Sequence, residues 1–280
     1  MSALEFTILG SGSSGGVPRA DGDWGACDPA NPRNRRSRCS LLVRRPAEGR
    51  AADAWTTLLV DTSPDLRLQT AGAGVQRLDA VLLTHDHADQ TPGIDDIRAF
   101  FIRQRARIPC HMDAATWSTM ALRFGYIFEP VGGYPAICDH RPLPPLGERF
   151  EIDGPSGVIP VTTFDQDHGG VRSVGYRFGD VAYSSDVVDL PEGAFAALEG
   201  LSVWVVDALR WRPHPTHAHV DLALSWIERV RPKRAILTNL HIDLDYEDLA
   251  TRLPAGVEPA FDGLRFNAEL EPQDPDYSNA

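Results

Sequence analysis

The stretch Val81–Gly93, VLLTHDHADQTPG, constrains the possible fold more than any other part of this chain. Val81, Leu82, Leu83 and Thr84 read as the end of a buried strand. His85, His87 and Asp89 follow at alternate positions, before a break at Pro92–Gly93. Alternate residues of an extended backbone point the same way, so two imidazoles leaving a strand can converge on one point. A neutral imidazole and a carboxylate are both good donors for a borderline divalent metal. A lone HxH reads as a solvated strand-to-helix loop; an acid two places on, straight after an apolar strand, favours the ligand reading.

The remaining pattern places this motif within alternating strands and helices. Strands are predicted over Leu4–Leu9, Cys39–Arg44, Trp55–Asp61, Leu78–Thr84, Ile108–Met112, Gly157–Thr163, Val174–Phe178, Val181–Tyr183, Leu201–Val206 and Arg234–Leu240. Helices are predicted over Pro64–Ala73, residues 94–105, Asp113–Arg123, Pro191–Leu198, Val220–Val230 and Asp245–Arg252. Strands followed by helices, twice over and with no linker between, predict an α/β protein built as a four-layer αββα sandwich. The single domain spans residues 1–265, and 266–280 read as an acidic C-terminal tail. Residues 125–147 are rich in Pro and Gly and read as a loop or insertion, either a lid or a homodimer contact.

Gly10–Gly16, GSGSSGG, matches the dinucleotide fingerprint, but no helix opens from it. Pro18, Gly22, Gly25, Pro29 and Pro32 follow, so the glycines are expected to let backbone pass close to a neighbouring loop or a ligand. The formal net charge of −12 disfavours a long nucleic acid as partner, because such binding rests on Lys and Arg. Arg33, Arg35, Arg36 and Arg38 form a local basic knot, either a solvated loop or a phosphate-sized anion site. No apolar run approaches the roughly 20 residues of a membrane span. The start of the chain lacks the marks of a signal peptide, and the four cysteines form no CxxC pair. Together these predict a cytoplasmic protein with free thiols and no membrane partner.

Further metal-ligand types close other strands: His168 in FDQDHGGV, Asp186 in YSSDVVD and His241 in LTNLHIDLD. Each alone reads as a turn, cap or loop residue. Jointly they outline one site.

The order of these motifs, with LLVDTSPD before LTHDHAD, resembles the metallo-β-lactamase fold superfamily. It is most similar to the branch of phosphoribosyl cyclic phosphate phosphodiesterases and, more distantly, to the tRNA 3′-processing nucleases. The resemblance implies that His85, His87 and His168 bind a first divalent metal. Asp89 and His241 would bind a second, with Asp186 bridging and Asp61 supporting the ligand loop. Zinc or manganese, one or two ions per chain, is the implied cofactor. The family motif ends HxHxDH, but position 90 is Gln. A carboxamide binds a divalent cation less tightly than imidazole does. The second ion is therefore expected to be weaker, exchangeable, a harder metal, or lost altogether.

The implied activity is hydrolysis of a small phosphodiester, cyclic ribose phosphate or nucleotide-like, by metal-activated hydroxide. Asp89 would orient the hydroxide, and His219 would serve as general acid or phosphate clamp, with His217 next in line. Competing readings are a tRNA-processing nuclease, a thioesterase- or lactonase-like hydrolase, and a single-metal ligand-binding protein with little catalysis.

Overall fold

The computed structural model describes residues 3–269, apart from residues 48 and 50. Its first half contains β1 (Ala3–Gly10), β2 (Ser40–Arg45), β3 (Thr56–Val60), β4 (Ala80–Leu82), β5 (Ile108–Met112) and β6 (Cys138–Pro142). With them come the helices α1 (Leu66–Gly72), α2 (Arg98–Gln104) and α3 (Ala114–Phe128). The second half contains β7 (Arg149–Ile152), β8 (Ile159–Asp167), β9 (Arg172–Phe178), β10 (Val181–Ser184), β11 (Val203–Asp207), β12 (Arg234–Thr238) and β13 (Val257–Pro259). Its helices are α4 (Glu192–Ala197), α5 (Val220–Val230) and α6 (Tyr246–Arg252), and β14 (Arg265–Glu269) follows.

Two seven-stranded sheets result, ordered β14-β1-β2-β3-β4-β5-β6 and β13-β12-β11-β10-β9-β8-β7. The strands are apolar on both faces because each sheet is covered on both. Leu41, Val43, Leu58 and Val60 point inward and meet Tyr176, Tyr183, Val205 and Ile236 of the other sheet. Their neighbours Leu42 and Leu59 face the opposite way and pack with Leu66, Phe100 and Met120 of α1–α3. Trp204 and Val206 do the same in the second sheet, against Val220, Ala223 and Leu249 of α5 and α6. This period-two division of apolar residues between two cores produces the αββα sandwich. Each fully buried side chain of this kind contributes roughly 1.5–3 kcal/mol.

Strand direction positions the site. The pairs β3–β4 and β4–β5 are parallel, as are β10–β11 and β11–β12, so their carboxyl ends share an edge within each sheet. β1 reaches β3, and β8 reaches β10, through two antiparallel pairings each, and so run the same way. A bridge from Gly12 to Leu240 joins the loops after β1 and β12. Crevices at the carboxyl ends of strands are where α/β folds bind ligands.

Several local expectations change. Residues 266–269 belong to β14, which pairs with β1, and Phe266 stacks on Phe6 at 5.0 Å; the rest of the proposed tail lies outside the described residues. Residues 125–147 are not all loop: α3 runs into them, and β6 forms the edge of the first sheet. The glycines after β1 answer a neighbouring loop, since a Cβ on Gly10 would meet the Arg38 carbonyl at 1.9 Å. That loop holds the four arginines, and each has a partner within the chain. Arg33 lies 4.8 Å over Tyr246 and Arg35 5.2 Å over Trp24, while Arg36 bonds Asn34 and Arg38 pairs with Asp65. Among the described residues all four cysteines are free and buried, and no helix is long and apolar enough to cross a membrane.

Candidate metal centre

The first ligand pair leaves β4 through Thr84, and a relay fixes its ring. Asp61 follows β3 with a left-handed φ of 62° and turns its carboxylate to Thr84, accepting from the backbone N–H at 2.8 Å and from the hydroxyl at 2.9 Å. The Thr84 oxygen is then left to accept from His85 Nδ1, 3.0 Å away. With Asp61 ionised, the His85 proton sits on Nδ1, and Nε2 carries a bare lone pair. That Nε2 is buried and has no hydrogen-bond partner. Burial pushes the Asp61 carboxyl up to about 8, even though the Thr84 hydrogen bonds pull the other way.

His168 is held by the same logic from the opposite sheet. Its Nδ1 donates to the Thr216 carbonyl at 2.6 Å, so Nε2 presents its lone pair to His87 Nδ1 at 3.2 Å. Gly169 must lack a side chain here, because a Cβ would meet the Pro215 carbonyl at 2.6 Å. The His85, His87 and His168 rings lie within 5.0 Å of one another, and one ligand atom from each falls within 4.8 Å of the others. Burial, reinforced by the neighbouring rings, lowers the pKa of His85 well below the usual imidazole value. The same causes bring His168 to about 4. All this leaves the His85 and His168 rings neutral at neutral pH, the state a metal requires.

Asp186 follows β10 with a φ of 54°, a strained conformation for a residue with a side chain. Its Oδ1 lies 3.9 Å from His168 Nε2 and 3.8 Å from His217 Nδ1, and its Oδ2 accepts from the Gln90 amide at 2.9 Å. Burial first, and the charge of Asp89 next, push its carboxyl well above the ordinary range, with His217 opposing. A buried acid held this way is relieved by a cation. The orphaned His85 nitrogen, the facing His87 and His168 nitrogens and this carboxylate together fit a divalent metal.

His217 forms a second group of ligand atoms with His168 and Asp186. Its Nδ1 lies 2.8 Å from Asp207 Oδ2, at the end of β11, and 3.0 Å from the Asn239 carboxamide nitrogen. Burial alone would lower this ring's pKa, but the charge and hydrogen bond of Asp207, with Asp186 and Asp89 beyond, raise it to about 9.

The structure thus brings together His85, His87, His168 and Asp186. Asp89 stands half-buried beside them, 3.4 Å from the Gln90 amide nitrogen. His241 falls in neither group of ligand atoms among the described residues, and its Nε2 lies 2.6 Å from the Arg19 guanidinium. His219 caps the start of α5 without a side-chain hydrogen bond and also lies in neither group. Asp207 was missed, yet it ends an apolar strand (VWVVD) just as Asp61 does (LLVD), and that parallel was available as a signal.

This fold and cluster define a superfamily. Residues 56–242 match the beta-lactamase superfamily domain, and the chain belongs to the metallo-β-lactamase hydrolase superfamily. Among solved structures it is similar to a diphosphatase from the PhnP family, 33% identical, with a TM-score of 0.83 over 95% of this chain and 98% of that one. It shares its fold with zinc-bound PqqB from Methylobacterium extorquens, 17% identical, with a TM-score of 0.71 over 94% and 99% of the two chains. It is also 30% identical over 268 residues to an octanoyltransferase of Porphyromonas gingivalis (strain ATCC BAA-308 / W83). That match takes in 93% of this chain and 51% of the octanoyltransferase, so the chain spans about half of that protein's length.

Proposed function

We propose that this chain is a metal-dependent phosphodiesterase acting on small phosphodiesters or diphosphate linkages. The observation that carries the reading is the convergence of the unpartnered His85 Nε2 with His87, His168 and Asp186, on a chain 33% identical to a diphosphatase. His85, His87, His168 and Asp186 would hold zinc or manganese. Such a cation supplies Lewis-acid stabilisation of phosphoryl charge and activates water.

The chain's own residues complete the chemistry. Thr84 and the Thr216 carbonyl hold two imidazoles in the ligating tautomer, and Gln90 holds the second oxygen of Asp186. Asp89 orients the attacking water. His217, its Nδ1 held by Asp207, is placed to donate a proton to the departing oxygen. His219 sits half-buried at the helix start and would line the approach of a phosphate bound there. The net charge of −12 favours a small substrate over a tRNA.

The test is hydrolysis of bis(p-nitrophenyl) phosphate by zinc- or manganese-loaded protein, beside a gel assay on precursor tRNA. Diester turnover without tRNA cleavage is expected; tRNA cleavage without diester turnover would overturn the reading. The octanoyltransferase match favours a second reading, hydrolysis of an acyl ester or thioester. Release of p-nitrophenol from its octanoate ester, with no diester turnover, would select it.

A further inference from the structure

The two side chains best placed in the sequence to serve a second cation are both committed elsewhere in the fold. Gln90 is fully buried, and its nitrogen, not its oxygen, faces the acids: it donates to Asp186 Oδ2 at 2.9 Å and lies 3.4 Å from Asp89 Oδ2. An amide N–H has no lone pair to offer a metal, and it occupies the carboxylate oxygen that a second ion would use. The carboxamide oxygen, the one atom of Gln90 able to ligate, is buried without a partner.

His241 is committed by charge. A guanidinium has only donors and stays protonated, so at 2.6 Å from Arg19 Nη2 the His241 Nε2 must accept. The ring proton then belongs to Nδ1, which faces Asp243 Oδ2 at 3.1 Å. Both nitrogens are satisfied, and the lone pair a cation would need is used. The pair stands beside the loops that follow β11 and β1: the His241 backbone N–H donates to the Leu209 carbonyl, and Gly12 bridges to Leu240.

We propose that the centre holds a single divalent cation, and that Gln90 and Arg19 close the place of a second, Arg19 putting a permanent positive charge there. The Arg19 side chain keeps 43% of its surface exposed, so donors remain for solvent or for an anionic substrate. The inference rests on the metal-dependent reading above but not on the substrate.

Stripped protein, reloaded with excess zinc or manganese and desalted, is assayed by elemental analysis. One ion per chain is expected, and the manganese form should give the hyperfine pattern of an isolated ion by electron paramagnetic resonance. The Arg19→Ala, Gln90→His double variant frees His241 and adds an imidazole; it should load close to two ions, with a spectrum broadened by coupling. Two tightly held ions on the unsubstituted chain would overturn the inference. So would a double variant of unchanged circular dichroism that still holds one. A chain that holds one ion but hydrolyses no diester would sink the proposed activity and leave this inference standing; a chain that holds none would sink both.

Discussion

His217 and His241 follow neighbouring strands of the same sheet, and each turns Nδ1 to a carboxylate, yet they have different fates. Asp207 holds His217 at 2.8 Å, and the ring faces His168 and Asp186. Asp243 holds His241 at 3.1 Å, but Arg19 has claimed the other nitrogen. An imidazole that follows a strand is therefore a ligand or a proton donor only if its second nitrogen is left free. That is decided by residues far away in the chain, here 222 positions distant.

The sharpest break of this comparison removes the cation beside His217. His168→Ala should lose the bound metal and cost on the order of 10³-fold in diester hydrolysis, measured by elemental analysis and kcat/KM. Replacing the two carboxylates comes next. Asp207→Asn should lower kcat by about 10²-fold, since the proton donor loses its orientation and its charge partner. Asp243→Asn should change kcat less than about 3-fold, because His241 has no reacting atom to serve. Equal losses from the two would erase the distinction drawn between the rings.

Asp61→Asn tests the relay behind His85. With one acceptor oxygen lost to Thr84, metal affinity should fall by roughly 10–100-fold, read by competition with a chromogenic chelator. A variant that binds metal as tightly as the parent would remove Asp61 from the account.

The smallest effect concerns an imidazole outside the site. His111 on β5 stacks on Phe150 at 5.4 Å; burial first, then Arg141 and His140, bring its pKa to about 4 against the usual 6.5. In the unfolded chain it takes up a proton near 6.5, and in the folded chain only near 4. Its contribution to stability is therefore complete above pH 6.5 and drains away as the pH falls toward 4. His111→Gln should flatten the acid limb of the thermal midpoint against pH. Metal loading should protect the cluster histidines but leave the His111 contribution in place.

The sandwich was legible because both strand faces and the helices carry apolar residues at fixed periods. Leu58, Leu59 and Val60 read as a buried strand whichever way they point. The cluster of His85, His87, His168 and Asp186 was legible for a related reason: each sits just after an apolar strand, and the strand directions carry them to one edge. What escaped is tertiary. Nothing local distinguishes His217 from His241, since the Arg19 contact depends on the loop after β1 lying against the loop after β12. β6, reading CDHRP, carries polar residues and a proline at a sheet edge, where alternation is weak. Phe266 alternates with charged and polar neighbours, and its burial depends on Phe6 across the sheet.

Anomalous X-ray scattering from crystals soaked in zinc, collected on both sides of the absorption edge, locates the bound cation itself. A peak bounded by His85, His87, His168 and Asp186 is expected. A peak seated instead on His241, or none near His85 Nε2, would contradict that placement.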